Sequence, residues 1–291
     1  GEEVSCYDLL AALLIPSSCE AANIIALNVS DSITEFTDLM NEKAEKLGME
    51  NTHFSNAHGL WAQQNYSSCK DMATLCEYAI SKYQVFRDIV CLPSYHMAST
   101  SYHSDGTDIY NTNLMLDSMT DYYYSYAKGI KTGTLDSAGR CLASYAEYEG
   151  TTYLIVTMGA PMDKLEEDVK KGEEDPDSIY GGDNVYYNLL DHISLYKWAF
   201  SSLVATDFVD KNSEVRDVKV SYGDGIDYAN LKPANGFTRL WPVDISVNDV
   251  EKKITAIYAK NVYNIFSLNN GIAKHATKTM TKPHIANKIF A

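Results

Sequence analysis

Basic side chains are scarce in this chain: 24 lysines and arginines stand against 39 aspartates and glutamates, a net charge of −15. So acidic a body repels a phosphate backbone, which argues against nucleic acid as a partner. No apolar run approaches the length of about 20 residues that crosses a bilayer. No secretory signal is visible either, as expected of a chain read without its start. The six cysteines, at positions 6, 19, 69, 76, 91 and 141, show neither zinc-ribbon spacing nor a disulfide framework, so buried free thiols are expected and the redox state stays open. His192, His275 and His284 are not at metal-ligand spacing, and neither a metal nor a cofactor is expected. No internal repeat is found. Acidic residues cease after Glu251, where Lys252, Lys253, Lys260, Lys274, Lys278, Lys282 and Lys288 form a basic tail. A solvated tail and a contact with an anionic membrane surface both fit that composition.

What is present, 291 residues of ordinary hydrophobic content, suffices for one large domain or two moderate ones. Ser5 with Asp8 caps a first helix that Pro16 ends. Ser17-Ser18-Cys19 then links it to a second, Glu20–Val29. Ser30-Asp31 is expected to cap a third, Thr34–Leu47, which stops at Gly48. Residues 51–60 are irregular, Ser68–Lys82 is helical with Asp71 completing a capping box, and Gln84–Cys91 is a short helix. Tyr95–Tyr102, Arg140–Tyr148 and Thr152–Gly159 read as strands, the last two joined at Glu149-Gly150. The stretch 163–183 holds nine acids against three lysines and reads as an exposed loop before a helix at Tyr186–Leu203. From Thr206 the pattern turns strand-rich.

Lys131-Thr132-Gly133 sits on a short strand bracketed by Gly129 and Gly133. A strand edge carrying an ammonium, a hydroxyl and a residue with no side chain can pair with an extended peptide while holding its terminal carboxylate. KTG alone is a weak signal. It gains weight beside a Ser-led link between two helices at Ser17-Ser18-Cys19, and the stretches KAEKLGMENTHFSNAHGL and YSSCKDMATLCEYAI.

In this order, over about residues 1–203, these segments resemble the serine D-alanyl-D-alanine carboxypeptidases, the low-molecular-mass penicillin-binding proteins. The resemblance implies an α/β composition in an α+β arrangement, with an antiparallel sheet flanked by helices. It divides the chain into a transpeptidase-like domain at 1–205, a small β-rich domain at 206–257 and a basic tail at 258–291. It implies acyl transfer: a serine attacks the D-Ala-D-Ala amide, D-alanine leaves, and water hydrolyses the acyl-enzyme. Ser17 would relay a proton to the leaving amine, Lys131 would hold the proton network poised, and Thr132 would bond the substrate carboxylate. The Thr134 N–H would be an oxyanion donor, and Gly133 would let the peptide approach closely. His58, in SNAHGL, is a cleft-lining group or a loop hydrogen bond. Cys19 stands where the family usually has Asn, and a thiol cannot replace an amide that bonds both substrate and enzyme. Arg140 is a structural ion pair or a carboxylate clamp.

The family's nucleophile lies in an SxxK element well before the Ser-led link, and this chain is expected to lack that first segment. Two strings spell SxxK, Ser67-Ser68-Cys69-Lys70 and Ser194-Leu195-Tyr196-Lys197, but the first reads as a helix cap and the second as mid-helix. Implied partners are peptidoglycan stem peptides and β-lactams, met at the cell wall or the outer face of a bacterial cytoplasmic membrane. Two competing readings are a non-catalytic binder of wall peptides and a fragment that works beside a complementing piece.

Overall fold

A computed structural model describes residues 1–212, 214, 216–219, 228–231, 233, 235–247, 255–257 and 265–267. They fall into two compact units, one ending at Tyr196 and one beginning at Lys197.

Five helices lead the first unit, and their caps explain their limits. In α1 (Cys6–Leu14) Ser5 Oγ accepts the Asp8 N–H at 3.0 Å. In α2 (Cys19–Val29) Ser18 Oγ accepts the Ala21 N–H at 3.1 Å, so the helix begins one residue earlier than expected. α3 (Ile33–Lys46) is capped by Ser32, not by Ser30-Asp31. Glu35 decides this, giving its N–H to Ser32 Oγ at 3.1 Å while its carboxylate takes the Asp31 N–H at 2.9 Å. Gly48, at φ 73°, ends it. Ser68 caps α4 (Cys69–Lys82), but Asp71 closes no box. Its buried carboxylate instead takes the Asn51 N–H at 2.7 Å and the Thr52 hydroxyl at 2.8 Å, fastening the irregular 51–52 stretch to the helix. α5 (Gln84–Val90) follows at once.

A hairpin of β1 (Ser94–Met97) and β2 (Thr107–Tyr110) comes next, shorter than the strand expected through Tyr102. The central sheet is β3 (Ala127–Leu135), β4 (Gly139–Tyr148) and β5 (Thr151–Ala160), antiparallel in that order. Gly129 and Gly133 lie within β3 and do not bracket it. Gly129 sits at a bulge with φ 102°, and a Cβ there would stand 2.4 Å from the Val90 carbonyl oxygen, so the strand lies directly on the end of α5. Glu149 (φ 47°) and Gly150 (φ 78°) make the two-residue turn between β4 and β5.

One sheet face presents Ala143, Tyr145 and Val156 to Cys76 of α4 and Val90 of α5, with Phe86, Met72 and Met158 around them. The other presents Ser144 and Thr157 to α7 (Tyr187–Ser202). Before α7 the acidic stretch is not a plain loop, since Glu166–Glu174 forms α6. Acids in its first turn favour a helix start, and Asp168 is buried between Lys171 Nζ at 2.5 Å and the Tyr187 hydroxyl at 2.8 Å.

The second unit is strand-rich. β6 (Leu203–Val209), β7 (Arg216–Lys219), β8 (Tyr228–Leu231), β9 (Phe237–Pro242), β10 (Thr255–Ile257) and β11 (Ile265–Ser267) form antiparallel pairs β6–β9, β7–β8 and β10–β11. Phe208 packs its ring against Phe237 and Trp241. The basic tail expected over 258–291 lies outside the described residues except for β11. Among the described residues no helix is long and apolar enough to cross a membrane.

Candidate active site

β3 has one neighbour, β4, and among the described residues its other border is unpaired. Lys131, Thr132 and Gly133 stand midway along it, opposite Ala143, Leu142 and Cys141. Gly133 faces only the Cys141 Cβ at an ordinary 3.7 Å, so nothing inside the sheet demands glycine there. A requirement for glycine at this position would come from what approaches the open border. Thr134, exposed and opposite Arg140, continues that border.

Lys131 Nζ donates to the Thr132 carbonyl oxygen at 3.3 Å and to Thr112 Oγ1 at 3.4 Å. Beneath it lies a hollow of about 440 Å³ lined by Met72, Leu75, Cys76 and Phe86 on the helices and by Ile130, Val156 and others on the sheet. Burial in these surroundings pulls the ammonium down to about 8 and pushes the Cys76 thiol up to about 12. Among the described residues no carboxylate pairs with Lys131.

The link between α1 and α2 reaches this strand through one residue. The Thr112 N–H donates to the Ile15 carbonyl at 3.4 Å, and Thr112 Oγ1 lies 2.5 Å from Thr132 Oγ1. Ser17, two residues past Ile15, is exposed and has φ 69°. A left-handed conformation costs a residue with a Cβ about 1–2 kcal/mol, and such outliers persist where the surroundings impose them. Here the Ser18 N–H, bonded to the Ala12 carbonyl at 2.9 Å, and the Ser18 cap on α2 fix both sides of it. Ser17→Gly is therefore expected to raise stability by roughly 0.5–1 kcal/mol in chemical denaturation. A loss of stability would mean that the serine side chain makes compensating contacts.

The other residues singled out by sequence are placed as follows. Cys19 is the first residue of α2, partly exposed, and all six cysteines are free, with only Cys76 buried. His58 accepts the Leu60 N–H at 3.2 Å within its own loop. Arg140 is 6% exposed and forms no ion pair among the described residues. Its guanidinium lies 4.1 Å from the Tyr186 ring centre and donates to Asn184 Oδ1 at 3.3 Å. Ser68 is bound up as the α4 cap, and Ser194 lies on α7.

Sequence reasoning missed two things. One is Thr112, signalled only by its setting between Asn111 and Asn113. The other is a fully buried group: Ser144 Oγ lies 2.7 Å from His192 Nδ1 and 2.7 Å from the Tyr196 hydroxyl, and Thr157 Oγ1 lies 3.0 Å from His192 Nε2. Ser144 and His192 have 0% exposure, which excludes them from chemistry on a peptide.

Residues 1–162 match the family described as D-alanyl-D-alanine carboxypeptidase, peptidase S11. The chain belongs to that family. Among its S11 relatives, the D-alanyl-D-alanine carboxypeptidase DacF of Bacillus subtilis is 30% identical over 168 residues, which are 56% of this chain and 40% of that protein. The D-alanyl-D-alanine carboxypeptidase of Streptomyces sp. strain K15 is 32% identical over 163 residues, 53% of this chain and 54% of that one. The chain thus spans about half the length of these curated relatives. A serine-to-alanine mutant of the Streptomyces K15 DD-transpeptidase superposes with a TM-score of 0.51 at 31% identity, over 55% of this chain and 63% of that one. The DacD carboxypeptidase of Francisella tularensis gives 0.62 over 92% and 71% at 19% identity, a likeness of fold. The expected arrangement of helices around an antiparallel sheet is therefore that of the S11 fold. Other solved K15 variants replace a serine and, two residues further on, a cysteine.

Proposed function

We propose that this chain is the carboxylate-recognising part of a serine-type D-Ala-D-Ala carboxypeptidase acting on peptidoglycan stem peptides outside the bacterial cytoplasm, and acylated by β-lactams. The observation that carries the reading is a half-buried ammonium, with no carboxylate partner among the described residues, on an open strand edge. An anion supplied by an extended peptide would complete it. In this reading Thr132 bonds the terminal carboxylate, Lys131 supplies the charge, Gly133 admits the peptide backbone and the Thr134 N–H faces the scissile carbonyl oxygen. Ser17 relays a proton to the departing amine, and Cys19 and His58 border the peptide. No serine of this chain is assigned the attack itself.

The test uses the protein as its gene encodes it. Fluorescent penicillin should give a single covalent adduct by intact mass, and a peptide ending in D-Ala-D-Ala should release D-alanine. Tight peptide binding with no adduct would instead identify a non-catalytic binder, and neither binding nor adduct would end the reading.

A further inference from the structure

We infer that Thr112 is a positioning residue whose hydroxyl fixes the direction in which the Thr132 hydroxyl donates. The inference rests on the reading of β3 as the carboxylate site.

The argument is one of proton direction. An ammonium has donors and no acceptor, so in the Lys131–Thr112 contact at 3.4 Å the oxygen of Thr112 accepts. A threonine hydroxyl has one proton. Among the described residues the one acceptor within reach of the Thr112 proton is Thr132 Oγ1 at 2.5 Å, and the proton goes there. The proton of Thr132 is then left free for an acceptor outside the strand. The chain runs Lys131 to Thr112 to Thr132 to ligand, each hydroxyl both accepting and donating, so that a distant charge polarises the last donor.

Thr112 is well supported for this. The Asn111 N–H donates to the Pro93 carbonyl at 2.8 Å, and its side-chain amide donates to the Leu92 carbonyl at 2.9 Å. Asn113, 1% exposed, accepts the Met115 N–H at 3.2 Å and starts a short helical turn at Leu114–Leu116. Two anchored asparagines therefore hold the threonine between them, and a rigid support keeps a donor's aim within useful limits.

The direction reverses when Lys131 loses its proton. Neutral Nζ can accept from Thr112, which then accepts from Thr132, and the outward donor disappears. Lys131, held near 8, makes this switch at accessible pH. Of the other groups lining the hollow beside it, only Cys76 on α4 and Cys141 on β4 are ionisable in kind; α5 and β5 contribute none, and no carboxylate lines it.

The experiment compares Thr112→Val and Thr112→Ser with the unmodified protein. Calorimetry from pH 6.5 to 9.5 would use an N-acylated tripeptide ending in D-Ala-D-Ala and the same peptide as its C-terminal amide. Valine keeps the shape and should weaken the acid peptide about tenfold at pH 7 while leaving the amide unchanged, and serine should restore most of the loss. The Lys131 titration followed by NMR should move lower in the valine variant, because the ammonium loses an acceptor. An acid peptide indifferent to Thr112→Val, or equal weakening of acid and amide, overturns the inference alone. Failure of the unmodified protein to bind the acid peptide at any pH overturns the reading of β3, and this inference with it.

Discussion

Replacing Lys131 by methionine is expected to weaken a peptide ending in D-Ala-D-Ala by about a hundredfold, the upper range for a charge-assisted hydrogen bond, and at the same time to stabilise the fold. Burial holds this ammonium at about 8 instead of the usual 10.5. Between those values the unfolded chain carries a proton here that the folded chain has lost, so stability rises as pH climbs from 8 to 10.5. Below 8 the half-buried charge works against folding. Methionine has similar length and no charge, so at pH 7 it should add on the order of 2 kcal/mol, after allowance for the part of the side chain that water screens. Denaturant midpoints at pH 7 and pH 10 would read this directly, and the variant should lack the alkaline rise. Unchanged peptide affinity would remove Lys131 from the site. A stability loss would mean that its bonds to Thr112 and the Thr132 carbonyl outweigh its burial.

The second large effect is acid sensitivity through His192. Carried on α7 and buried against Ser144 and Thr157 of the sheet, the imidazole is held down to about 3 by desolvation. Its contribution is fully present above the unfolded value of 6.5 and is lost as pH falls from there towards 3, because only the unfolded chain accepts the proton. Over that whole window the loss is on the order of 4 kcal/mol, a large part of a domain's stability. Asp168, its carboxyl held below the usual 3.8, adds to the loss only under pH 4. Between pH 6.5 and 5 the histidine should therefore dominate. His192→Gln keeps a side chain able to meet both hydroxyls and should flatten the denaturant midpoint across that range. The same steep decline in the variant would show that another group carries it.

Much of this fold is legible because its helices carry their own punctuation. Ser5, Ser68 and Gly48 mark ends where the letters place them. The cap of α3 shifted to Ser32 because Glu35 has two roles at once, which only coordinates show. The stretch 163–183 was misread for a related reason: its acids sit at a helix start, where the macrodipole welcomes them, and Lys171 and Tyr187 cover Asp168. For the candidate site, Lys131 and Thr132 are readable since their residue types state their chemistry. Thr112 was not. A threonine between two asparagines carries no spacing signal, and its contact with β3 arises where the segment after β2 meets Thr132, a meeting set by tertiary structure. The Ser144–His192 group was equally hidden, with partners 48 residues apart on a strand and a helix.

The left-handed backbone at Ser17 bears on how this lineage changes over time. Mutation towards glycine would relax the chain there, so a copy released from its chemistry should drift that way. On the proposed relay role of Ser17, paralogues that keep serine at this corner would be the working catalysts, and those with glycine the duplicates that have lost the relay.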